Sequence, residues 1–131
     1  MKKKLKIENE KDIVKARNLV KNVARSIGFS IFNQTRIMTA VSELTRNILL
    51  YAKKGILTYE IIEKNATKGI LISVKDKGPG IKDLDSALEK GYSSGKGLGL
   101  GLSGTKNLMD EFNIQSNEQT GTEIEIIKWL G

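Results

Sequence analysis

The chain has 131 residues with 22 basic and 15 acidic side chains, a formal net charge of +7, and neither cysteine nor histidine. This length allows one domain, which we place over residues 1–131, with a single hydrophobic core. The missing residue types exclude disulfides, thiol nucleophiles, imidazole bases and a phosphohistidine. There is no run of about 18 apolar residues and no apolar segment after the lysine-rich start, so we expect a cytoplasmic protein without a membrane span or signal peptide.

The positive charge raises nucleic-acid binding as an alternative. Only 5% of the residues are aromatic, and they are not interleaved with cations as they are in proteins that bind single strands. Four of the lysines lie within the first six residues. We therefore expect a solvated basic surface and no nucleic-acid partner.

The hydrophobic pattern of the first half predicts a short strand followed by two helices. Residues 3–8 alternate between apolar and polar side chains, as in a half-buried strand. From Glu10 the apolar residues recur at helical spacing, and Gly28 is typical of a helix C-terminus. Ser30 can cap a second helix with a broad apolar face, which we expect to end near Ala52.

In the second half, two predicted hairpins flank a region, Gly78 to Gly104, that holds eight of the 13 glycines. The predicted elements are strands at Ile56–Glu63 and Gly69–Asp76 with a turn at Lys64–Lys68, helices at Asp83–Lys90 and from about Leu100 to Glu111, and strands at Asn113–Gln119 and Gly121–Leu130. This order predicts an α+β fold, a two-layer sandwich in which a mostly antiparallel sheet carries helices on one face.

A glycine repeat is the strongest local feature. Its sequence is Gly95-Lys96-Gly97-Leu98-Gly99-Leu100-Gly101-Leu102, and it leads into a predicted helix. Glycine at every second position lets the backbone approach a ligand and turn its N–H groups inward, and a helix N-terminus adds further donors. We interpret the repeat as a phosphate-binding loop whose spacing is not that of a Walker A motif. The alternative is a mobile loop.

A second feature is the segment Asp76-Lys77-Gly78-Pro79-Gly80, at the end of a predicted strand. Pro79 fixes one φ angle, while Gly78 and Gly80 permit the positive φ of a tight loop. A carboxylate at this position can accept a hydrogen bond from an exocyclic amine such as adenine N6. The alternative interpretation is an ordinary β-turn that contains an aspartate.

Glu43 and Asn47 form a third feature, because their i, i+4 spacing places them on one face of the second predicted helix. An amide oxygen suits Mg²⁺, and a carboxylate one turn away can take the proton of an attacking hydroxyl. The alternative is an intrahelical hydrogen bond on a solvated face. A fourth feature is Gly121-Thr122, which places a small hydroxyl where the last strand meets a loop.

Together these features resemble the ATP-binding boxes of the GHKL ATPase and kinase superfamily, which has the Bergerat fold. Residues 43–47, ELTRN, resemble its N box; residues 76–80 resemble its G1 box and the glycine repeat its G2 box, and Thr122 matches its terminal threonine. Further segments, such as residues 108–112, are similar to the anti-sigma regulatory serine/threonine kinase family, and most of all to its RsbT-like switch kinases.

The resemblance implies the Bergerat ATP-binding fold with ATP and Mg²⁺ as cofactors. Asn47 would bind Mg²⁺, Glu43 would be the general base for a substrate hydroxyl, and Asp76 would hold adenine N6. The residues implied to shape the adenine site are Gly78, Gly80 and Thr122. Those implied to wrap the phosphates are Gly95, Lys96, Gly97, Leu98, Gly99 and Gly101.

The resemblance also implies a serine/threonine protein kinase that phosphorylates STAS-domain antagonists of the RsbS and RsbR type in the stressosome. Once released, such a kinase would bind and activate an RsbU-like phosphatase in a sigma-factor stress-response pathway. Two alternatives stay open at this point: an anti-sigma-type binding module that uses nucleotide without catalysis, and a nucleic-acid-binding protein.

Overall fold

The computed structural model describes residues 2–78, 101–117 and 119–131, without the side chains of residues 101 and 117. The elements of the described ranges are β1 Lys3–Ile7, α1 Glu10–Ile27, α2 Ile31–Asn47, a π-helical turn Ile48–Ala52, β2 Gly55–Lys64, β3 Thr67–Asp76, α3 Gly101–Leu108, β4 Glu111–Asn117 and β5 Gly121–Trp129. The predicted helix at Asp83–Lys90 lies outside these ranges. No helix of the described part is long and apolar enough to cross a membrane.

The five strands form one sheet in the order β1-β2-β3-β5-β4, and every neighbouring pair is antiparallel. Both predicted hairpins are present, as β2–β3 and β4–β5, and they join where β3 pairs with β5. With the helices packed on one face, this sheet confirms the predicted α+β sandwich.

The core lies between the helices and one face of the sheet. On β3, Ile70, Ile72 and Val74 are buried, whereas Lys75 on the opposite face is exposed. This alternation is typical of an antiparallel sheet covered on one side. The buried stripes of the two long helices are Ile13, Ala16, Val20 and Ala24 in α1, and Ile37, Ala40, Val41 and Leu44 in α2. Since α2 contacts both α1 and α3, it is the central helix of this layer.

The two long helices have the end signals that the sequence predicts. Gly28 closes α1 in the left-handed conformation, with φ of 109°. Ser30 caps α2, because its side-chain oxygen accepts a hydrogen bond from the Asn33 N–H at 3.1 Å. The helical segment that follows ends at Ala52 as expected, but its last five residues form the π-helical turn rather than a continuation of the α-helix.

Two predicted boundaries are wrong. The turn of the first hairpin comprises only Asn65 and Ala66, because β2 and β3 remain paired as far as Lys64 and Thr67. Both turn residues have positive φ, 52° and 65°. Two-residue turns with this backbone match the twist of the flanking strands.

The second wrong boundary is between α3 and β4. The helix ends at Leu108 instead of Glu111, and β4 comprises Glu111–Asn117 instead of Asn113–Gln119. Asp110 explains the early end, because its N–H donates to the Ile127 carbonyl at 3.0 Å and its carboxylate accepts from the Trp129 N–H at 2.7 Å. These bonds fix the chain to β5 before another helical turn can form.

Candidate functional site

Glu43 is a carboxylate held inside the helical layer. It lies near the C-terminal end of α2, and only 7% of its surface is exposed. Within the described ranges, no hydrogen bond or ion pair involves its carboxylate. Thr45, buried on the same helix, instead donates to the Val41 carbonyl at 2.7 Å. A mostly buried carboxylate without a partner among the described residues is a candidate general base.

Asn47 is the last residue of α2 and lies one turn after Glu43 on the same helix face. Its side chain is partly buried and forms no hydrogen bond with the part of the chain that the structure describes. The Glu43–Asn47 hydrogen bond of the alternative interpretation is therefore absent. The π-helical turn that follows Asn47 is of a kind found frequently at functional sites.

Asp76 is the last residue of β3, and its side chain closes a tight turn. Its Oδ1 accepts a hydrogen bond from the Gly78 N–H at 2.8 Å, as in an Asx turn. The second carboxylate oxygen has no hydrogen-bond donor among the described residues. Gly78 also lies against Ala52 of the π-helical turn, because a Cβ at Gly78 would be 2.7 Å from the Ala52 Cβ. A side chain at position 78 would therefore push these two segments apart.

The start of β5 brings Thr122 to the same corner of the sheet. In the strand register Thr122 is opposite Asp76 on one side and Ser116 on the other. The hydroxyls of Thr122 and Ser116 are 2.8 Å apart and share a hydrogen bond. Gly121 has φ of +86°, and a Cβ there would lie 2.1 Å from the Asp76 carbonyl oxygen. Only glycine permits this approach of the backbones.

Two of the four predicted features thus adjoin each other, and the helical segment that carries a third reaches them through Ala52. We call Asp76, Gly78, Gly121 and Thr122 the Asp76 corner. Ala52 connects this corner to the helical segment that carries Glu43 and Asn47, because Ala52 ends that segment and contacts Gly78. The corner and the segment therefore border the same end of the molecule.

The glycine repeat is only partly described. Gly80, Gly95, Lys96, Gly97, Leu98 and Gly99 lie outside the described residues. Gly101 is the first residue of α3, which packs against α2, so the repeat leads into a helix as the sequence indicates. That the repeat, Asn47 and Asp76 enclose a common cavity stays a prediction.

Two residues that contact the corner were missed by sequence reasoning. Ser116 shares a hydrogen bond with Thr122, and the small side chain of Ala52 accommodates Gly78. The predicted second hairpin could have indicated Ser116, because a turn near residues 118–120 places it across from Thr122. No local pattern in the sequence indicates the contact of Ala52.

The donors of the α2 end fit a magnesium nucleotide better than a metal site built by the protein alone. The described part of the chain contains no group of three or more acidic, cysteine or histidine residues that could hold a metal. Mg²⁺ usually keeps several waters and takes one or two protein ligands together with substrate phosphates. The amide oxygen of Asn47 next to a buried carboxylate is a donor set of this kind.

Comparison with known proteins agrees with these features. Residues 7–128 match the histidine kinase-like ATPase domain. The chain is 50% identical over 126 residues to the serine/threonine-protein kinase RsbT of Bacillus subtilis (strain 168), covering 96% of this chain and 95% of RsbT. It is 33% identical over 103 residues to an anti-sigma F factor of Bacillus cytotoxicus, covering 73% of this chain and 69% of that protein.

A solved structure supports the same fold. The mycobacterial sensor histidine kinase MprB superimposes with a TM-score of 0.56 at 16% identity, over 98% of this chain and 97% of that chain. The family match and the alignment with RsbT each span most of the chain. The chain therefore belongs to the GHKL, or histidine kinase-like, ATPase family and, within it, to the serine/threonine protein kinases of the anti-sigma regulatory branch.

Proposed function

We propose that the protein transfers the γ-phosphate of ATP to a serine or threonine hydroxyl of a STAS-domain antagonist of the RsbS or RsbR type. Glu43 carries this proposal, because it is a buried carboxylate without a described partner, one turn from Asn47. A carboxylate one turn from Asn47 can take the proton of an attacking hydroxyl. A protein that only sequestered a partner would not need this chemistry. Similarity to RsbT supports the same activity.

The Asp76 corner would receive the adenine base. Gly78 holds one oxygen of Asp76 at 2.8 Å, which fixes the orientation of the carboxylate. The second oxygen can then accept a hydrogen bond from adenine N6, with Thr122 supporting the base through water and Gly80 shaping the pocket. Guanine presents a carbonyl oxygen at the corresponding position, and two acceptors would face each other. The corner should therefore favour adenine.

Asn47 would hold Mg²⁺ against the phosphates. The ion would neutralise phosphate charge, which is its usual contribution to phosphoryl transfer. Backbone N–H groups of the glycine repeat, Gly95, Gly97, Leu98, Gly99 and Gly101, would bear the remaining phosphate charge together with the Lys96 ammonium group. These assignments rest on the matched motif and on the place of Asn47 at the end of α2.

Glu43 would act as the general base. It takes the proton of the acceptor hydroxyl while the hydroxyl oxygen forms a bond to the γ-phosphorus. The bond between that phosphorus and the β–γ bridging oxygen breaks, and ADP leaves. Phosphoryl transfer depends mainly on positioning. The burial of Glu43 would therefore contribute to catalysis by restricting its carboxylate to one position.

Phosphorylation would also release the kinase from its antagonist. The free kinase would then bind and activate an RsbU-like phosphatase, which feeds a sigma-factor stress response. Similarity to RsbT and to an anti-sigma F factor supports a role in partner-switching regulation. Phosphatase activity measured with and without added kinase tests this second step.

Glu43→Ala tests the proposed reaction. The purified chain is incubated with radiolabelled ATP, Mg²⁺ and an RsbS-type STAS protein, and label on the STAS protein is counted. General-base catalysis contributes roughly 10²- to 10⁴-fold, so transfer should fall by this factor while ATP affinity, measured by calorimetry, stays within about twofold. Glu43→Gln, which keeps the side-chain size, should show the same loss. Unchanged transfer by either variant contradicts the role of Glu43.

An anti-sigma-type binding module is the second candidate function, favoured by the 33% identity to an anti-sigma F factor. In that case the wild-type chain would bind ATP and its partner, and label would never reach the partner. The same radiolabel assay therefore separates the two functions.

A further inference from the structure

Two large apolar side chains are exposed directly after Asn47. Leu50 is 49% exposed and Tyr51 is 46% exposed. Both lie on the π-helical turn, whose first residue, Ile48, is buried in the core. The π-helical turn is therefore anchored in the core by Ile48 and exposes Leu50 and Tyr51 to solvent. Both exposed residues follow Asn47 by three or four positions.

Lysines surround this apolar pair. Lys53 and Lys54 follow it and are exposed. Gly55 pairs with Asp76 at the end of the β2–β3 ladder. Lys54 and Lys77 are the neighbours of this pair just beyond the ladder, and Lys77 is also exposed. From Leu44 to Tyr59 the sequence contains no acidic residue. Lys53 has φ of +70°, a conformation uncommon outside glycine.

These five residues, Leu50, Tyr51, Lys53, Lys54 and Lys77, are named the apolar–basic rim. The rim borders the candidate site, because Ala52 between its two halves contacts Gly78 and the Asp76 corner. An acceptor protein whose hydroxyl reaches Glu43 must approach the C-terminal end of α2. Its surface around that hydroxyl would then rest on the rim.

We propose that the apolar–basic rim is the docking surface for the acceptor protein. The fitting partner is a folded protein that presents an apolar patch bordered by acidic side chains around its acceptor hydroxyl. The apolar pair would supply the buried area, and the lysines would set orientation and association rate. This inference rests on the proposed kinase function and adds to it the surface that selects the substrate.

The chain offers a matched control surface. Ile31 and Phe32 form a second exposed apolar pair, 81% and 68% exposed, at the other end of α2. With about 1.5 Å of rise per residue, the two pairs are roughly 28 Å apart. Arg36 stacks on the Phe32 ring at 4.5 Å, so this pair also has a neighbouring cation. The Ile31–Phe32 pair differs from the rim because it lies at the end of α2 that is far from Glu43.

The test compares the double variant Leu50→Ser/Tyr51→Ser with Ile31→Ser/Phe32→Ser. The RsbS-type STAS protein is titrated in the phosphate-transfer assay, and its affinity is also measured by calorimetry in the presence of a non-hydrolysable ATP analogue. The rim variant should raise both KM and Kd for the STAS protein at least tenfold. The control pair should leave both within twofold, and ATP affinity should be unchanged in each variant.

Lys54→Glu provides a second measurement that does not depend on the apolar pair. It should weaken STAS binding three- to tenfold, less so at high salt, whereas Lys21→Glu on the exposed face of α1 should have no effect. If the apolar double variant does not fold, this charge reversal alone decides the proposal.

Several outcomes would overturn the docking surface. They are an unchanged acceptor affinity in the rim variants, an equal loss in the control variants, a loss of ATP binding, or a changed oligomeric state by size-exclusion chromatography. If the wild-type chain binds the STAS protein but transfers no phosphate, the proposed kinase function fails, and the calorimetric Kd still decides the rim. If the wild-type chain does not bind the STAS protein, both proposals fail.

Discussion

The two ends of β5 each place an aspartate from another part of the chain beside the strand, and they use it differently. Near the end of β5, Asp110 accepts hydrogen bonds from the Lys128 ammonium at 3.2 Å and the Trp129 N–H at 2.7 Å, one on each oxygen. At the start of β5, Asp76 lies opposite Thr122, and only its Oδ1 is bonded, to the Gly78 N–H. Its other oxygen has no donor in the described ranges.

This difference distinguishes a carboxylate that fixes the fold with both oxygens from the one for which we propose a ligand. Both aspartates lie at strand ends, so position in the sheet alone does not distinguish them. Asp110 uses both oxygens to fix the connection between α3 and β4 onto β5, whereas Asp76 fixes its own turn with one oxygen. The second oxygen of Asp76 is the one that we propose accepts a hydrogen bond from adenine N6.

Among the variants that test this comparison, Asp76→Asn is expected to have the largest effect, because it changes the aspartate for which we propose a ligand. The asparagine oxygen can still accept from the Gly78 N–H, so the turn should persist, but an NH₂ group would replace the oxygen that we propose faces adenine. Hydrogen bonds to charged groups contribute about 1.5–3 kcal/mol. ATP affinity should therefore fall about ten- to hundredfold, as measured by calorimetry, with little change in the Tm of the free protein.

The same chemical change at Asp110 is the control. Asp110→Asn should leave ATP affinity within about twofold, because Asp110 lies at the other end of β5 from Thr122. An Asp76→Asn protein that binds ATP as tightly as the wild type would remove Asp76 from the adenine site.

Asp110→Ala should show the opposite signature, a loss of stability without a loss of ligand affinity. Lys128 is only 8% exposed, and its ammonium group would lose the carboxylate, while the Trp129 N–H would lose its acceptor. We expect the free energy of unfolding to fall by about 2 kcal/mol, measured by urea denaturation.

Glu111→Ala is the matched control for stability. It removes only the exposed hydrogen bond from the Trp129 indole N–H to Glu111, which is 2.6 Å long, and should cost less than about 1 kcal/mol. If Asp110→Ala lowered ATP affinity and left the unfolding midpoint unchanged, the two aspartates would not have the separate roles assigned here.

The sequence predicted those parts of the fold that depend on local chemistry. The Ser30 cap, the Gly28 helix end and the alternation of β3 each involve residues within a few positions of one another. The end of α3 could not be predicted in this way, because it depends on Asp110 meeting β5, 19 residues further along the chain at Trp129. The π-helical turn likewise has no local pattern in the sequence.

In the candidate site, too, the short-range features were predicted and the contacts between distant segments were not. The Asp76–Gly78 turn and the Glu43–Asn47 spacing were predicted because each is short-range. The contact of Gly78 with Ala52 was not, since it joins segments that only the folded sheet brings together. The pairing of Asp76 with Thr122 depends equally on the β3–β5 register, which the order of elements does not specify.

Thr122→Val should have the smallest effect. It tests whether the Thr122 hydroxyl contributes to ATP binding in addition to Asp76. Valine keeps the β-branched shape that suits a strand but removes the hydroxyl that lies 2.8 Å from the Ser116 hydroxyl. A hydroxyl that supports adenine through water contributes about 0.5–1 kcal/mol, so ATP affinity should fall about two- to fivefold. Thr122→Ser restores the hydroxyl and should restore affinity.

Ser116→Ala removes the neighbouring hydroxyl and should leave ATP affinity unchanged, because Ser116 is one strand further from Asp76. Equal losses in Thr122→Val and Ser116→Ala would mean that the hydroxyl pair acts by shaping the sheet edge, and Asp76 would then be the corner's sole contact with the base.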